Sequence, residues 1–273
     1  VSRSADGKRG AICAKYSDAS FPQAGSVKIF EESNGVWIQL GEDINGEQQA
    51  DQSGTSVSLS GDGYRVAIGA PLNDGSLGSN QGQVRVYEWD NTDWIVVGDE
   101  INGQRNGSQW GTSVSMSYDG TRFIVGAPYD SGNGGSSGIA VVYEETSGSW
   151  SSVGNTISSA AAGDLYGFCV DISEDGTVVI LGAIFNDEEG YRAGQTRVFR
   201  EQSGFWQQVG QSINGESAED WSGYSIKLSG AGRRMIVGAR NNDTNGTNAG
   251  NARVFNINFP TCTDGMQNGT ETD

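Results

Sequence analysis

A block of about 56 residues recurs five times in this chain, and the copies share one ordered set of marks, with single departures in some of them. The marks are a Ser-x-Asp-Gly turn, a Gly-Ala pair, an apolar-basic-apolar-aromatic run, and a Trp followed shortly by Gly. The turn serine falls at Ser4, Ser60, Ser117, Ser173 and Ser229, and the tryptophan at Trp37, Trp94, Trp150 and Trp206, so two independent marks advance in register. A unit this short cannot bury an apolar face alone. Its copies must therefore stack on one another, and residues 1–259 form one array rather than several domains.

The second copy shows what the unit is. Thr55–Ser60 alternates small polar with apolar residues, Asp62-Gly63 turns the chain back, and Arg65–Ala70 reads as the hairpin partner. After a Gly/Asn/Ser loop (Pro71–Gly82) come a third strand, Gln83–Tyr87, a short turn and a fourth strand, Trp94–Ile101. Four short antiparallel strands, here called A to D, are a propeller blade. With 42 Gly and 4 Pro in 273 residues, there is no room for many long helices. The expected fold is an all-β propeller of four-stranded antiparallel blades. Five repeats are visible; the alternative is part of a seven-bladed ring. Copy five supplies strands A to C and then reaches Asn258-Phe259-Pro260 without a Trp-bearing strand D.

The steps Gly54 then Gly69-Ala70-Pro71, Trp110-Gly111 then Gly126-Ala127-Pro128, and Tyr166-Gly167 then Gly182-Ala183 resemble the FG-GAP repeat family, whose modules build the β-propeller of integrin α subunits. Copy five departs with Arg240 in place of the proline, and copy one with Cys13-Ala14 in place of Gly-Ala. The resemblance implies a cell-surface or secreted interaction module. Calcium-binding members lengthen the A-to-B hairpin with oxygen ligands, but here only the Ser-x-Asp-Gly turn fits between the strands. Six to eight oxygens cannot be gathered there, so no metal and no cofactor are expected.

Antiparallel order sends the A-to-B and C-to-D turns to one rim and the longer, more variable B-to-C and D-to-A loops to the other. Variable loops on a rigid scaffold are where recognition concentrates. Candidate partner-binding residues on that second rim are Asp18, Asp74, Asp130, Asp187 and Asp243, together with Trp110 and Trp221. Against this, Asp side chains also tie down their own loops. The strand-C basic residues Lys28, Arg85, Arg197 and Arg253 are read as local ion pairs, and the repeated tryptophans as packing between blades. Glycosylation sequons start at Asn106, Asn242, Asn245 and Asn268.

The formal charge of −17, with no histidine, disfavours nucleic acid and anionic lipid as partners. No apolar run is long enough for membrane insertion. Three cysteines make no disulfide framework. Residues 260–273, opened by Cys262, resemble the start of a Cys-rich segment, and the chain reads as part of something longer. Without a histidine base, a nucleophile elbow or a phosphate loop, the chain is expected not to be an enzyme. The leading reading is an extracellular or cell-surface adhesion module that binds a protein or glycan. A structural subunit of an extracellular filament, contacting copies of itself or other segments of a longer chain, is the alternative, and a carboxylate-dependent glycosidase a minor one.

Overall fold

The computed structural model describes residues 1–159 and 161–259. The candidate Asn268 and the Cys262 tail lie outside them. The described residues form a five-bladed β-propeller of five antiparallel sheets without a helix.

Blade one holds β1 (Ser2–Arg3), β2 (Arg9–Ala14), β3 (Ser26–Ser33), β4 (Val36–Gln39) and β5 (Ile44–Asn45). Blade two holds β6 (Ser56–Leu59), β7 (Arg65–Ala70), β8 (Gln83–Trp89), β9 (Trp94–Val96) and β10 (Ile101–Asn102). Blade three is β11 (Ser113–Met116), β12 (Arg122–Ala127), β13 (Ile139–Thr146) and β14 (Ser149–Ser158). Blade four is β15 (Tyr166–Ile172), β16 (Val178–Ala183), β17 (Gln195–Gln202), β18 (Phe205–Gln208) and β19 (Ile213–Asn214). Blade five is β20 (Ser222–Leu228), β21 (Arg234–Ala239) and β22 (Asn251–Asn256), with no fourth strand among the described residues.

Strand D differs from the sequence expectation. Gly98, with φ 72°, bends the backbone inside it, so β9 and β10 pair with β8 as two pieces. Gly154 (φ 70°) makes the same bend in blade three, yet β14 stays continuous through a register shift opposite Ala140 and Val142.

The A-to-B turn is held by its own side chains. Ser60 Oγ donates to Asp62 Oδ1 (2.6 Å), while the amides of Tyr64 and Arg65 donate to Asp62 Oδ1 and Ser60 Oγ. Ser4/Asp6, Ser117/Asp119 and Ser173/Asp175 repeat this bond. In copy five Ala231 stands at the aspartate position.

Each blade has a trailing face, turned to the next blade, and a leading face, turned to the previous one. Between blades three and four, the trailing Ile124, Ala140 and Val142 pack against the leading Val170, Ile172, Val179, Leu181 and Trp206, all buried. Two polar devices and one steric fit reinforce such junctions. Indole N–H groups reach back to a carbonyl of the preceding blade: Trp94 to Leu40 (2.8 Å), Trp150 to Val97 (2.9 Å) and Trp206 to Val153 (3.0 Å). Arginines reach forward, with Nη1 of Arg9, Arg65 and Arg122 donating to the turn carbonyls of Gly63, Gly120 and Gly176. Their other nitrogens bind the strand-C carboxylates of Glu31, Glu88 and Glu144. Finally, the Gly-Ala glycine lies on the next blade's backbone: a Cβ on Gly126 would sit 2.0 Å from the Gly167 carbonyl oxygen, a distance no side chain tolerates.

Candidate binding rim

The B-to-C loops share one internal brace. The Oδ1 of Asp18, Asp74, Asp187 and Asp243 accepts the backbone N–H of Gln23, Asn80, Arg192 and Asn248. These carboxylates are exposed, but one oxygen of each is committed to its own loop. Asp130 is not their equivalent. It is fully buried, accepts the Gly132 amide and forms an ion pair with Arg105 at 2.9 Å. The brace position in blade three belongs to Ser131, whose Oγ accepts the Ser136 amide.

A second repeated element escaped the sequence reading. Asn73, Asn186 and Asn242 donate Nδ2 to the buried Asp51, Asp164 and Asp220, each 22 residues upstream, and so lock the B-to-C loops of blades two, four and five to the preceding D-to-A loop. In blade three the pair is replaced: Ser108 takes the aspartate position and Asp130 the asparagine position, with Arg105 supplying the donors. The constant 22-residue interval is the signal that would have revealed it. Burial pushes the Asp51 carboxyl up, against the pull of the Asn73 amide and the Gln48 N–H.

Three candidate residues are corrected. Trp110 is fully buried in the junction between blades two and three, because it follows the left-handed Gln109 (φ 53°) and turns inward. Asn242 is 1% exposed and spends its amide nitrogen on Asp220, so that nitrogen is not offered to a glycan. Asp130 is internal, as described above. Asn106 and Asn245 are exposed on the rim. Three of the four strand-C cations form local pairs, Lys28 with Asp43, Arg85 with Glu47 and Arg253 with Glu216; Arg197 forms none among the described residues, and donates instead to the Gln195 side-chain oxygen beside the Tyr166 ring.

Trp221 is half-buried, and it heads an aromatic cluster over blades four and five that the sequence did not single out. Phe185 meets Trp221 edge-on with centroids 5.4 Å apart, Tyr224 lies 6.5 Å from Trp221, and Phe168 lies 5.4 Å from Tyr224. Arg240 stands over Tyr224 at 4.9 Å and donates to its hydroxyl. Arg192 lies over Phe185 at 4.3 Å and Tyr191 at 4.9 Å. Next to these rings, Tyr129, Leu165, Phe185, Asp187, Tyr191 and Arg192 line a pocket of about 370 Å³ between blades three and four. The matching positions in blade two are Leu72, Gln109, Thr112, Ser79 and Asn80, with none of this aromatic surface.

A second cavity, of about 580 Å³, runs along the axis and is lined by strand A of all five blades. Serines and aliphatic residues share its wall, and Asp171 projects among them, accepting Ser115 Oγ, Lys227 Nζ and the Leu228 amide, each at 2.6 Å. Its lone pairs are well used. No group of three metal-ligating side chains occurs among the described residues, and no helix there is long and apolar enough to cross a membrane.

No family model matches the chain, and no curated protein does, so membership of the FG-GAP family stays a resemblance. Solved structures do share the fold. Hydrazine synthase of Kuenenia stuttgartiensis aligns with a TM-score of 0.54 at 15% identity, over 89% of this chain and 55% of that one. The periplasmic gluconolactonase of Pseudomonas aeruginosa aligns with a TM-score of 0.52 at 16% identity, over 86% of this chain and 63% of that one. This chain thus spans less than two thirds of either protein. At such identities the likeness shows the fold alone. It nevertheless corrects one expectation. Both neighbours are enzymes by name, so this fold does not exclude catalysis, and the expectation that the chain is not an enzyme does not stand.

Proposed function

We propose that this propeller is an extracellular recognition module that binds neutral glycans at the B-to-C and D-to-A rim over blades three to five. The supporting observation is the asymmetry of that rim. Tyr129, Phe185, Tyr191, Trp221 and Tyr224, with Arg192 and Arg240, gather on one sector, while blade two carries Leu72 and the polar Ser79, Asn80, Gln109 and Thr112 there.

The chemistry fits a sugar. Ring faces offer flat apolar surface to sugar C–H groups, and covering such surface stabilises by about 25 cal/mol per Å². Arg192 supplies donors at the pocket wall, and the Asp187 oxygen left over from its loop brace accepts a hydroxyl. A volume of about 370 Å³ suits one or two sugar rings. The charge of −17 disfavours anionic polysaccharides.

The test is isothermal titration of the chain with neutral β-glucan, mannan and galactan oligosaccharides, repeated on Tyr191→Ala. Tyr191 is 57% exposed, so its loss leaves the core intact. Saturable binding to one oligosaccharide, weakened about tenfold in the variant at unchanged Tm, is expected from the loss of roughly 1.4 kcal/mol. Absence of binding to all three, or binding indifferent to the substitution, refutes the reading.

A further inference from the structure

The two ends of the array carry complementary docking surfaces with nothing on them. On the trailing face of blade five, Ile236 is 43% exposed and Val254 68%, whereas the matching Ile124, Ile180, Val142 and Val198 are at most 3% exposed. The glycines agree. A Cβ on Gly69, Gly126 or Gly182 would strike the next blade's carbonyl at 2.0–2.3 Å, but one on Gly238 meets only Ser225 of its own blade. Gly25, Gly82, Gly138 and Gly194 each form a parallel bridge to the following blade, at Ser53, Trp110, Tyr166 and Ser222; Gly250 forms none among the described residues. Where that bridge would lie, an open cleft of about 400 Å³ is lined by Tyr224, Gly238, Ala239, Gly250 and Asn251.

Blade one shows the converse. On its leading face Ile12 is 51% exposed and Trp37 52%, while the matching Ile68, Val125, Leu181 and Val237 are at most 2% exposed. The indoles of Trp94, Trp150 and Trp206 each bond a carbonyl of the preceding blade; that of Trp37 has no such bond among the described residues. No hydrogen bond among the described residues joins blade five to blade one.

We infer that both faces are covered, in the working protein, by a wedge of further blades built on this same repeat. The reason is continuity with four formed junctions. The occupant of blade five must present a left-handed residue followed two positions later by a glycine whose carbonyl seats on Gly238, as Gln52, Gln109, Leu165 and Trp221 precede Gly54, Gly111, Gly167 and Gly223. The occupant of blade one must offer an outer-strand carbonyl to Trp37. One wedge satisfies both, because every blade in this chain carries one face of each kind. A second intact copy turning about the same axis would run into the first, and this favours added blades over self-assembly.

The experiment extends the full chain. One, two or three copies of residues 57–113 placed ahead of Val1 keep the register, since Val1 matches Val57 and Val114. Ile12→Cys and Val254→Cys report on the two faces through their alkylation rates, read by peptide mass spectrometry. In the parent chain both label fast. Ile12→Cys is expected to slow at least tenfold with the first added blade, and Val254→Cys with the copy number that fills the gap. A second readout is Ile236→Lys, which leaves Tm unchanged in the parent and lowers it by several degrees in the filled ring. The inference fails if either cysteine still labels at the parent rate at every copy number, in extended chains that retain a cooperative unfolding transition. It fails equally if Ile236→Lys is harmless throughout.

Discussion

Val142 and Val254 occupy the same position of the repeat, but Val142 is fully buried between blades and Val254 is 68% exposed. Substituting each by Ala therefore isolates what a blade junction contributes, with strand propensity and local sequence held nearly constant. Val142→Ala removes two carbons from a sealed interface shared with Leu181 and Trp206. At about 0.8 kcal/mol per buried carbon, transfer alone is about 1.6 kcal/mol, and the residual cavity brings the loss to roughly 2–3 kcal/mol. Val254 has about a third of its surface to lose, hence about 0.5 kcal/mol. For a chain of this size each kcal/mol moves Tm by about 2–4 °C, so the drop is roughly 4–12 °C for Val142→Ala and about 1–2 °C for Val254→Ala. Differential scanning calorimetry measures both. Equal drops would falsify the account of the trailing face, since the two valines would then share the same environment in solution.

Other expectations follow from the turns and staples. Arg122 donates to Glu144 (2.8 Å), Glu201 (2.6 Å) and the Gly176 carbonyl, so Arg122→Ala is expected to destabilise by roughly 2–3 kcal/mol after allowing for partly exposed partners. Lys at that position restores at most part of this, because an ammonium cannot span the same three acceptors; equal stability of the Lys variant and the parent in urea titration rejects the staple. For Asp119, burial pushes the carboxyl up, but the Thr121 amide and the Ser117 and Thr121 hydroxyls outweigh it and hold the group below its ordinary 3.8. A carboxyl depressed in the folded state adds stability that is complete above the ordinary value and lost as pH falls through the folded value. Asp119→Asn is thus expected to flatten the fall of Tm below about pH 4, and a profile parallel to the parent's contradicts this.

Much of the architecture was readable because its causes are local. Alternation in Ser56–Leu59 and the strand-C aromatics are patterns contained within one copy, and the Ser-x-Asp-Gly turns are bonded within it, so each copy announces its own strands even though its apolar face is covered by a neighbour. The rim was harder to read. Asp18, Asp74, Asp187 and Asp243 were visible as a repeat, and their bonds to their own loops explain why. Trp110 and Asp130 misled because their surroundings are supplied by residues distant in sequence: Trp110 faces the junction with blade two, and Asp130 faces Arg105. The aromatic cluster of Phe185, Trp221 and Tyr224 joins two blades, and no periodicity marks it.

The sequence by itself determined the unit: its period, its strand order, its turns, and the two rims that antiparallel order imposes. These depend on alternation, hydrogen bonds across a few residues, and glycine's freedom at defined positions. Only the tertiary structure decided which faces of those units are covered and which side chains reach water. Burial depends on what the next blade, some 56 residues away, brings against a surface, and at the two ends of the array no described residue fills that role.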